Sequence, residues 1–156
     1  MIAINEIQGD DEQFNWWLTI MPDALMYLSI LPKDVRSKLD YSVNSLDVLE
    51  IFLIDNYDME EMKRSENKMA VDVFARYIGE TFRKNLTDII WKLELRENRF
   101  GYGFPLLVKK DNKPCTPKST YSFIAGVLDR RIGSYLSTIL KNNIEDEIKW
   151  EGRVAE

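Results

Sequence analysis

The fold of this chain is decided by residues 67–86, whose sequence is NKMAVDVFARYIGETFRKNL. Apolar side chains recur there every three or four residues, at Ala70, Val73, Phe74, Tyr77, Ile78, Phe82 and Leu86. This spacing places them on one face of a helix. Asp72, Arg76 and Glu80 recur at the same spacing on another face, where alternating charges support a helix. We predict a long helix whose apolar stripe is the main packing surface of the fold.

A β-hairpin is predicted to follow this helix. Residues 88–97, DIIWKLELRE, alternate apolar and polar side chains, which is typical of a strand with one buried face. Residues 102–108, YGFPLLV, predict a second strand, and Gly103 and Pro105 favour an edge or an irregular start. An isolated hairpin is only marginally stable in water, so we expect the long helix to cover it.

A second long helical pattern occupies residues 119–144. Its apolar residues are spaced by three and four, at Tyr121, Ala125, Leu128, Ile132, Tyr135 and Ile139. Gly126 and Gly133 lie one heptad apart within it. They predict either the close approach of another backbone or a break that divides the pattern into two shorter helices.

The N-terminal part of the chain is also predicted to be helical. The acidic residues 10–12 favour the start of a helix that contains Trp16 and Trp17. Adjacent residues cannot share one side of a helix, so one indole is expected to be exposed or to contact a second element. Residues 24–31 are apolar and predict a short buried helix. Ser45 is the expected N-cap of an apolar helix in the core.

The chain is therefore predicted to be α+β and mostly helical, with N-terminal helices, a long helix, a β-hairpin and a C-terminal long helix. Its 156 residues are expected to form a single domain, 1–156. An acidic helical part (1–66) carries a net charge of −9, since it has fourteen acidic and five basic residues. The helix–hairpin–helix part (67–144) carries +7, and the acidic tail (145–156) carries −3.

The composition excludes several classes of chemistry. The chain has no histidine, so catalytic triads, histidine acid–base catalysis and histidine-containing zinc sites are excluded. A single cysteine, Cys115, excludes an intrachain disulfide and cysteine-only metal centres. No apolar run approaches the roughly 20 residues of a membrane span, and the N-terminus lacks the pattern of a signal peptide. We expect a cytoplasmic protein that uses no cofactor and does not bind membranes.

One alternative function follows from residues 109–118, KKDNKPCTPK, which form the clearest loop in the sequence. Basic loops can contact phosphates, so the protein could associate with nucleic acid. The residues involved would be Lys109, Lys110, Lys113, Lys118 and Arg99. No aromatic residue lies among these lysines as base stacking would need, and nucleic acid is therefore the less favoured partner.

A second alternative is a metal-dependent enzyme that uses carboxylates. Asp72 and Glu80 could hold a metal beside the long helix, but Arg76 lies between them and favours ion pairing. We therefore assign no metal ligand and no catalytic residue. Glu80 is predicted to form a structural ion pair with Arg130 or Arg131, which would fix the register of the two long helices.

Several short motifs resemble a family of small, poorly characterised bacterial proteins. They are ARYIGE from residue 75, a strand that contains Trp91, GFP from residue 103, and RRxGxYL from residue 130. Some proteins of this kind resemble the immunity proteins of polymorphic toxin systems. The resemblance covers about residues 67–142 and implies a cytoplasmic binding protein without catalytic residues.

These observations favour a non-enzymatic protein-binding module, such as an immunity protein that neutralises a toxin by direct binding. The expected partner-binding residues are Asp10, Asp11, Glu12 and Trp16. An acidic surface speeds the encounter with a basic partner, and tryptophan is enriched at binding hot spots. The alternative interpretation is structural: the acidic and basic parts would face each other or solvent, and the tryptophans would pack in a core or cover the end of another helix.

Overall fold

In the computed structural model, the backbone is described for residues 11–155 and the side chains for residues 12–151. The predicted α+β, mostly helical fold is confirmed. The helices are α1 (Asp11–Thr19), α2 (Met21–Leu25), α3 (Lys33–Arg36), α4 (Val43–Asn56), α5 (Met59–Met62), α6 (Lys68–Asn85), α7 (Thr120–Arg130) and α8 (Tyr135–Ala155). The strands are β1 (Ile89–Leu93) and β2 (Pro105–Lys109), and short 3-10 helices occupy Met26–Ile30, Ser65–Asn67 and Lys110–Asn112.

Helix α6 is the central element, and it matches the predicted helix to within one residue at each end. Most of the predicted apolar stripe is buried, with Ile78 and Phe82 completely inaccessible to solvent, while Ala70 and Leu86 at its two ends are partly buried. Burial is not limited to that stripe, because α6 contacts α2, α4, α7 and β1. The face of Asp72 and Arg76, predicted to be a charged ladder, is therefore completely buried as well.

The predicted hairpin is also present, and both of its strands are shorter than predicted. They pair antiparallel, with Trp91 opposite Leu107 and Leu93 opposite Pro105. Trp91 and Leu93 are buried, as the alternation predicted. The Trp91 ring lies so close to Gly79 of α6 that an added Cβ would be 2.1 Å from it. This close approach brings the hairpin directly onto the central helix.

Replacing Gly79 by alanine is expected to lower the free energy of unfolding by about 1–3 kcal/mol, because the new methyl group overlaps the Trp91 ring in a packed core. Urea denaturation followed by circular dichroism measures the change. In a Trp91→Phe background the atoms that cause the overlap are absent, so the same substitution should have little effect or stabilise the helix. Wild-type stability of the single variant would show that the ring moves aside freely.

The second long helical pattern is divided into α7 and α8. The break lies at residues 131–134, where Arg131 has a left-handed conformation (φ 50°) and Gly133 has φ 95°. Gly126 lies within α7 and contacts the ring of Tyr135 at the start of α8. The break lets α8 turn back and pack along α4. Residues 145–155, predicted as an acidic tail, continue α8.

Two local predictions for the N-terminal part need correction. Residues 24–31 do not form a buried helix: the 3-10 helix there leaves Met26 and Ile30 71% and 77% exposed. Helix α4 begins earlier than predicted, because the Ser42 hydroxyl caps it by accepting a hydrogen bond from the Ser45 amide (3.2 Å). Within residues 11–155, no helix has both the length and the apolar character that a membrane crossing requires.

Candidate functional site

The predicted partner-binding residues lie at, or just before, the start of the part of the chain that the structure describes. Asp10 lies outside the described residues, and Asp11 opens α1, with its side chain outside them as well. Glu12 is exposed. Of the two adjacent tryptophans, Trp16 is 53% exposed and Trp17 is completely buried. The expectation that the two indoles separate is therefore confirmed.

Further apolar side chains are exposed beyond Trp16. The chain stays helical from Asp11 to Ile30 apart from a single turn residue, Ile20. Trp16 belongs to α1, whereas Met26, Tyr27 and Ile30 belong to the 3-10 helix Met26–Ile30, in which side chains three residues apart, such as Tyr27 and Ile30, share a side. We give the name N-terminal face to six exposed residues of this segment: Glu12, Trp16, Asp23, Met26, Tyr27 and Ile30.

Trp17 is buried beneath this segment and is anchored there by polar contacts in the core. The Trp17 indole donates a hydrogen bond to Asp72 Oδ1 (2.9 Å), and the Arg76 guanidinium donates one to the Trp17 carbonyl (2.7 Å). The same guanidinium stacks over the Trp17 ring at 4.1 Å and binds Asp72 Oδ2 (2.7 Å). The Tyr121 hydroxyl also donates to Asp72 (3.0 Å). We call Trp17, Asp72, Arg76 and Tyr121 the Asp72 cluster.

The Asp72 cluster is suited to a structural role. Burial, together with the nearby Asp72 charge, holds the pKa of Tyr121 well above its ordinary value, so this hydroxyl stays protonated and acts as a donor. Asp72 accepts from three different side chains, which leaves it little capacity for a metal ion. Among the residues that the structure describes, no three acidic or cysteine side chains gather as a metal site would need.

The predicted ion pair between Glu80 and Arg130 or Arg131 is replaced by other contacts. Glu80 binds Arg83, one turn further along α6, at 2.8 Å. Arg131 donates hydrogen bonds to the carbonyls of Ile54 and Tyr57 at the end of α4. Arg130 lies over the ring of Tyr135. Arg131, in the break after α7, is thus engaged by the end of α4, and Arg130 is exposed at the last residue of α7.

The lysines predicted for nucleic-acid binding are largely engaged within the protein. Lys109 forms an ion pair with Glu147 of α8 at 2.5 Å. Lys110 and Lys113 both bind Asp88, at 3.1 and 2.9 Å. Each carboxylate neutralises charge that a phosphate would otherwise contact, so these contacts weaken the case for nucleic acid.

A groove lies beside the same loop, between the C-terminal half of α8 and the hairpin. Its volume is about 840 Å³. Apolar side chains line it, including Phe82, Leu86, Ile89, Leu107 and Trp150. Lys118 also lines it, together with the exposed Cys115. We call this cavity the α8 groove.

Two parts of these sites were not predicted from the sequence. The exposure of Met26, Tyr27 and Ile30 had a signal, because Leu25, Leu28 and Leu31 are spaced by three, as the inward side of a 3-10 helix would be. The α8 groove had no such signal in the sequence, because α8 and residues 113–118 approach each other only in the folded chain. Comparisons with models of protein families, with curated proteins and with solved structures found no match.

Proposed function

We propose that this protein is a non-enzymatic binding module that recognises another protein through the N-terminal face. The observation that carries the proposal is the exposure of four large apolar side chains on one short helical segment. These are Trp16, Met26, Tyr27 and Ile30, which are 53%, 71%, 45% and 77% exposed. Several large apolar side chains exposed on one short segment are typical of interaction sites.

The chemistry of these side chains suits a protein partner. Tryptophan and tyrosine contribute much of the binding energy at many interfaces, and methionine adapts its shape to a partner. The backbone under Trp16 is held in place because Arg76 binds the carbonyl of Trp17. A pre-organised anchor loses less conformational freedom on binding, which favours tight association.

Charge indicates the kind of partner. Residues 10–30 contain four acidic residues, Asp10, Asp11, Glu12 and Asp23, and no basic residue. An acidic segment attracts a basic partner and speeds the encounter, although Arg36, which donates to the Ser29 carbonyl, places one basic group beside it. We therefore propose a basic protein as the partner, and the immunity-protein resemblance makes a basic toxin domain in the cytoplasm the specific candidate.

Replacing Trp16 by alanine should weaken such a complex by about 2 kcal/mol or more, close to thirtyfold in Kd, if Trp16 is a central anchor. The candidate partners are the purified products of the neighbouring genes. Calorimetry with each product measures affinity and stoichiometry, and a tight one-to-one complex is expected with one of them.

Trp150→Ala is the matched control for this experiment. Trp150 is 66% exposed but lies on α8, outside the N-terminal face, so its removal should leave the complex intact. The proposal fails if no neighbouring product binds, or if the Trp16 variant binds as tightly as the wild type. A complex that weakens steeply with salt, forms with RNA or DNA and ignores Trp16 would favour the nucleic-acid alternative.

A further inference from the structure

The α8 groove contains a lysine, Lys118, that forms no ion pair with any residue that the structure describes. Three lysines line the groove, and two of them bind carboxylates: Lys109 binds Glu147, and Lys113 binds Asp88. Lys118 is partly buried, and its ammonium donates one weak hydrogen bond, to the carbonyl of Thr116 (3.3 Å). Among the described residues, no carboxylate forms an ion pair with it.

The backbone of Lys118 is fixed to strand β2. Its amide and carbonyl groups exchange two hydrogen bonds with Leu107 of β2, at 3.0 and 2.9 Å. The loop before it is fastened to the same strand, because the Lys109 amide donates to the Cys115 sulfur. Burial also lowers the pKa of Lys118 from its ordinary value, as expected for an ammonium that has lost part of its hydration.

Asp146 and Glu147 attract the Lys118 ammonium, but neither forms an ion pair with it. Glu147 already accepts hydrogen bonds from Lys109 and from the Thr87 amide. Asp146 and Glu151 also line the groove, but both are exposed on α8, where solvent and salt screen their charge. An anion that enters the groove would meet the less screened charge of Lys118 beside an apolar surface.

We propose that the α8 groove binds a linear amphiphilic carboxylate, such as a medium-chain fatty acid. The hydrocarbon chain would lie on Phe82, Leu86 and Leu107, and the carboxylate would contact the Lys118 ammonium. The groove volume of about 840 Å³ lies in the range of small-molecule sites. Trp150 is 66% exposed at the groove and would cover part of the bound chain. None of these residues belongs to the N-terminal face, so this inference is independent of the proposed function.

Titration of the whole protein with sodium dodecanoate, below its micelle concentration, tests the proposal. Calorimetry should show one site, and the emission of Trp150 should shift to shorter wavelength, a change absent from a Trp150→Phe variant. Lys118→Met keeps the apolar stem but removes the charge, so it should weaken dodecanoate binding about tenfold or more, the loss expected for a partly buried charge-assisted hydrogen bond. Lys118→Arg should keep the binding.

Two comparison ligands separate the role of the charge from that of the chain. Dodecan-1-ol should bind the wild type and Lys118→Met equally, because it does not form an ion pair. Dodecylamine should bind the wild type more weakly than dodecanoate does. The proposal is overturned if dodecanoate does not bind, if Lys118→Met binds it as tightly as the wild type, or if the amine binds equally well. Circular dichroism of each variant shows that a lost affinity is not a lost fold.

Discussion

Replacing Asp72 by asparagine should lower the free energy of unfolding by about 3–5 kcal/mol, the cost of removing one partner from a buried ion pair. Asp72 and Arg76 are both completely buried. Asparagine can still accept from Trp17 and Tyr121, but its amide group would face the Arg76 donor at a contact now only 2.7 Å long. Arg76 would then carry an unpaired charge in the core. Urea denaturation at neutral pH measures the loss.

Arg76 makes the effect large because it has few other partners. Its Nη2 atom already finds no hydrogen-bond partner among the described residues. Removing both charges, in an Asp72→Asn, Arg76→Met double variant, should therefore recover about 1–3 kcal/mol relative to the Asp72 variant alone. Glu80→Gln is the matched control on the same helix, because the Glu80–Arg83 pair is partly exposed and should contribute less than about 1 kcal/mol. Equal losses in the Asp72 and Glu80 variants would contradict a buried pair.

The same residues show what the sequence could and could not predict. The apolar spacing in residues 67–86 and the alternation in residues 88–97 are local signals, and they predicted α6 and β1. A charged ladder on a helix is usually exposed, so the burial of Asp72 and Arg76 depended on a tertiary contact that periodicity does not encode. That contact comes from Trp17, which is 55 residues away from Asp72 in the chain.

For the candidate sites too, local sequence patterns predicted some features, and tertiary contacts decided the others. Adjacency alone predicted that Trp16 and Trp17 would separate, and the Asp72 cluster decided which of them is buried. The ion pair predicted for Glu80 does not form, because Glu80 binds Arg83, and Arg131 lies in the break after α7, where it binds the end of α4. The break at residues 131–134 lets α8 pack on α4, and the C-terminal half of α8 lines the groove that contains Lys118.

The start of α8 depends on a carboxylate that lies in another helix. Glu50 of α4 is completely buried, although acidic residues rarely are unless they are paired. Its two oxygens accept hydrogen bonds from the amides of Tyr135 and Leu136, at 2.9 and 2.8 Å. These amides belong to the first turn of α8, where a helix has unpaired donors and a partial positive charge. Glu50 therefore caps α8 across the fold and fixes it against α4.

Replacing Glu50 by glutamine should lower the free energy of unfolding by about 2–4 kcal/mol, because one of its two oxygens becomes an amide that faces a backbone donor. Hydrogen exchange should accelerate first at the amides of Tyr135 and Leu136, which separates loss of the cap from general destabilisation. Asp55→Asn is the control, since Asp55 is exposed on the same helix and should change stability by less than about 0.5 kcal/mol. Unchanged protection of those two amides in the Glu50 variant would show that α8 is held by its apolar contacts alone.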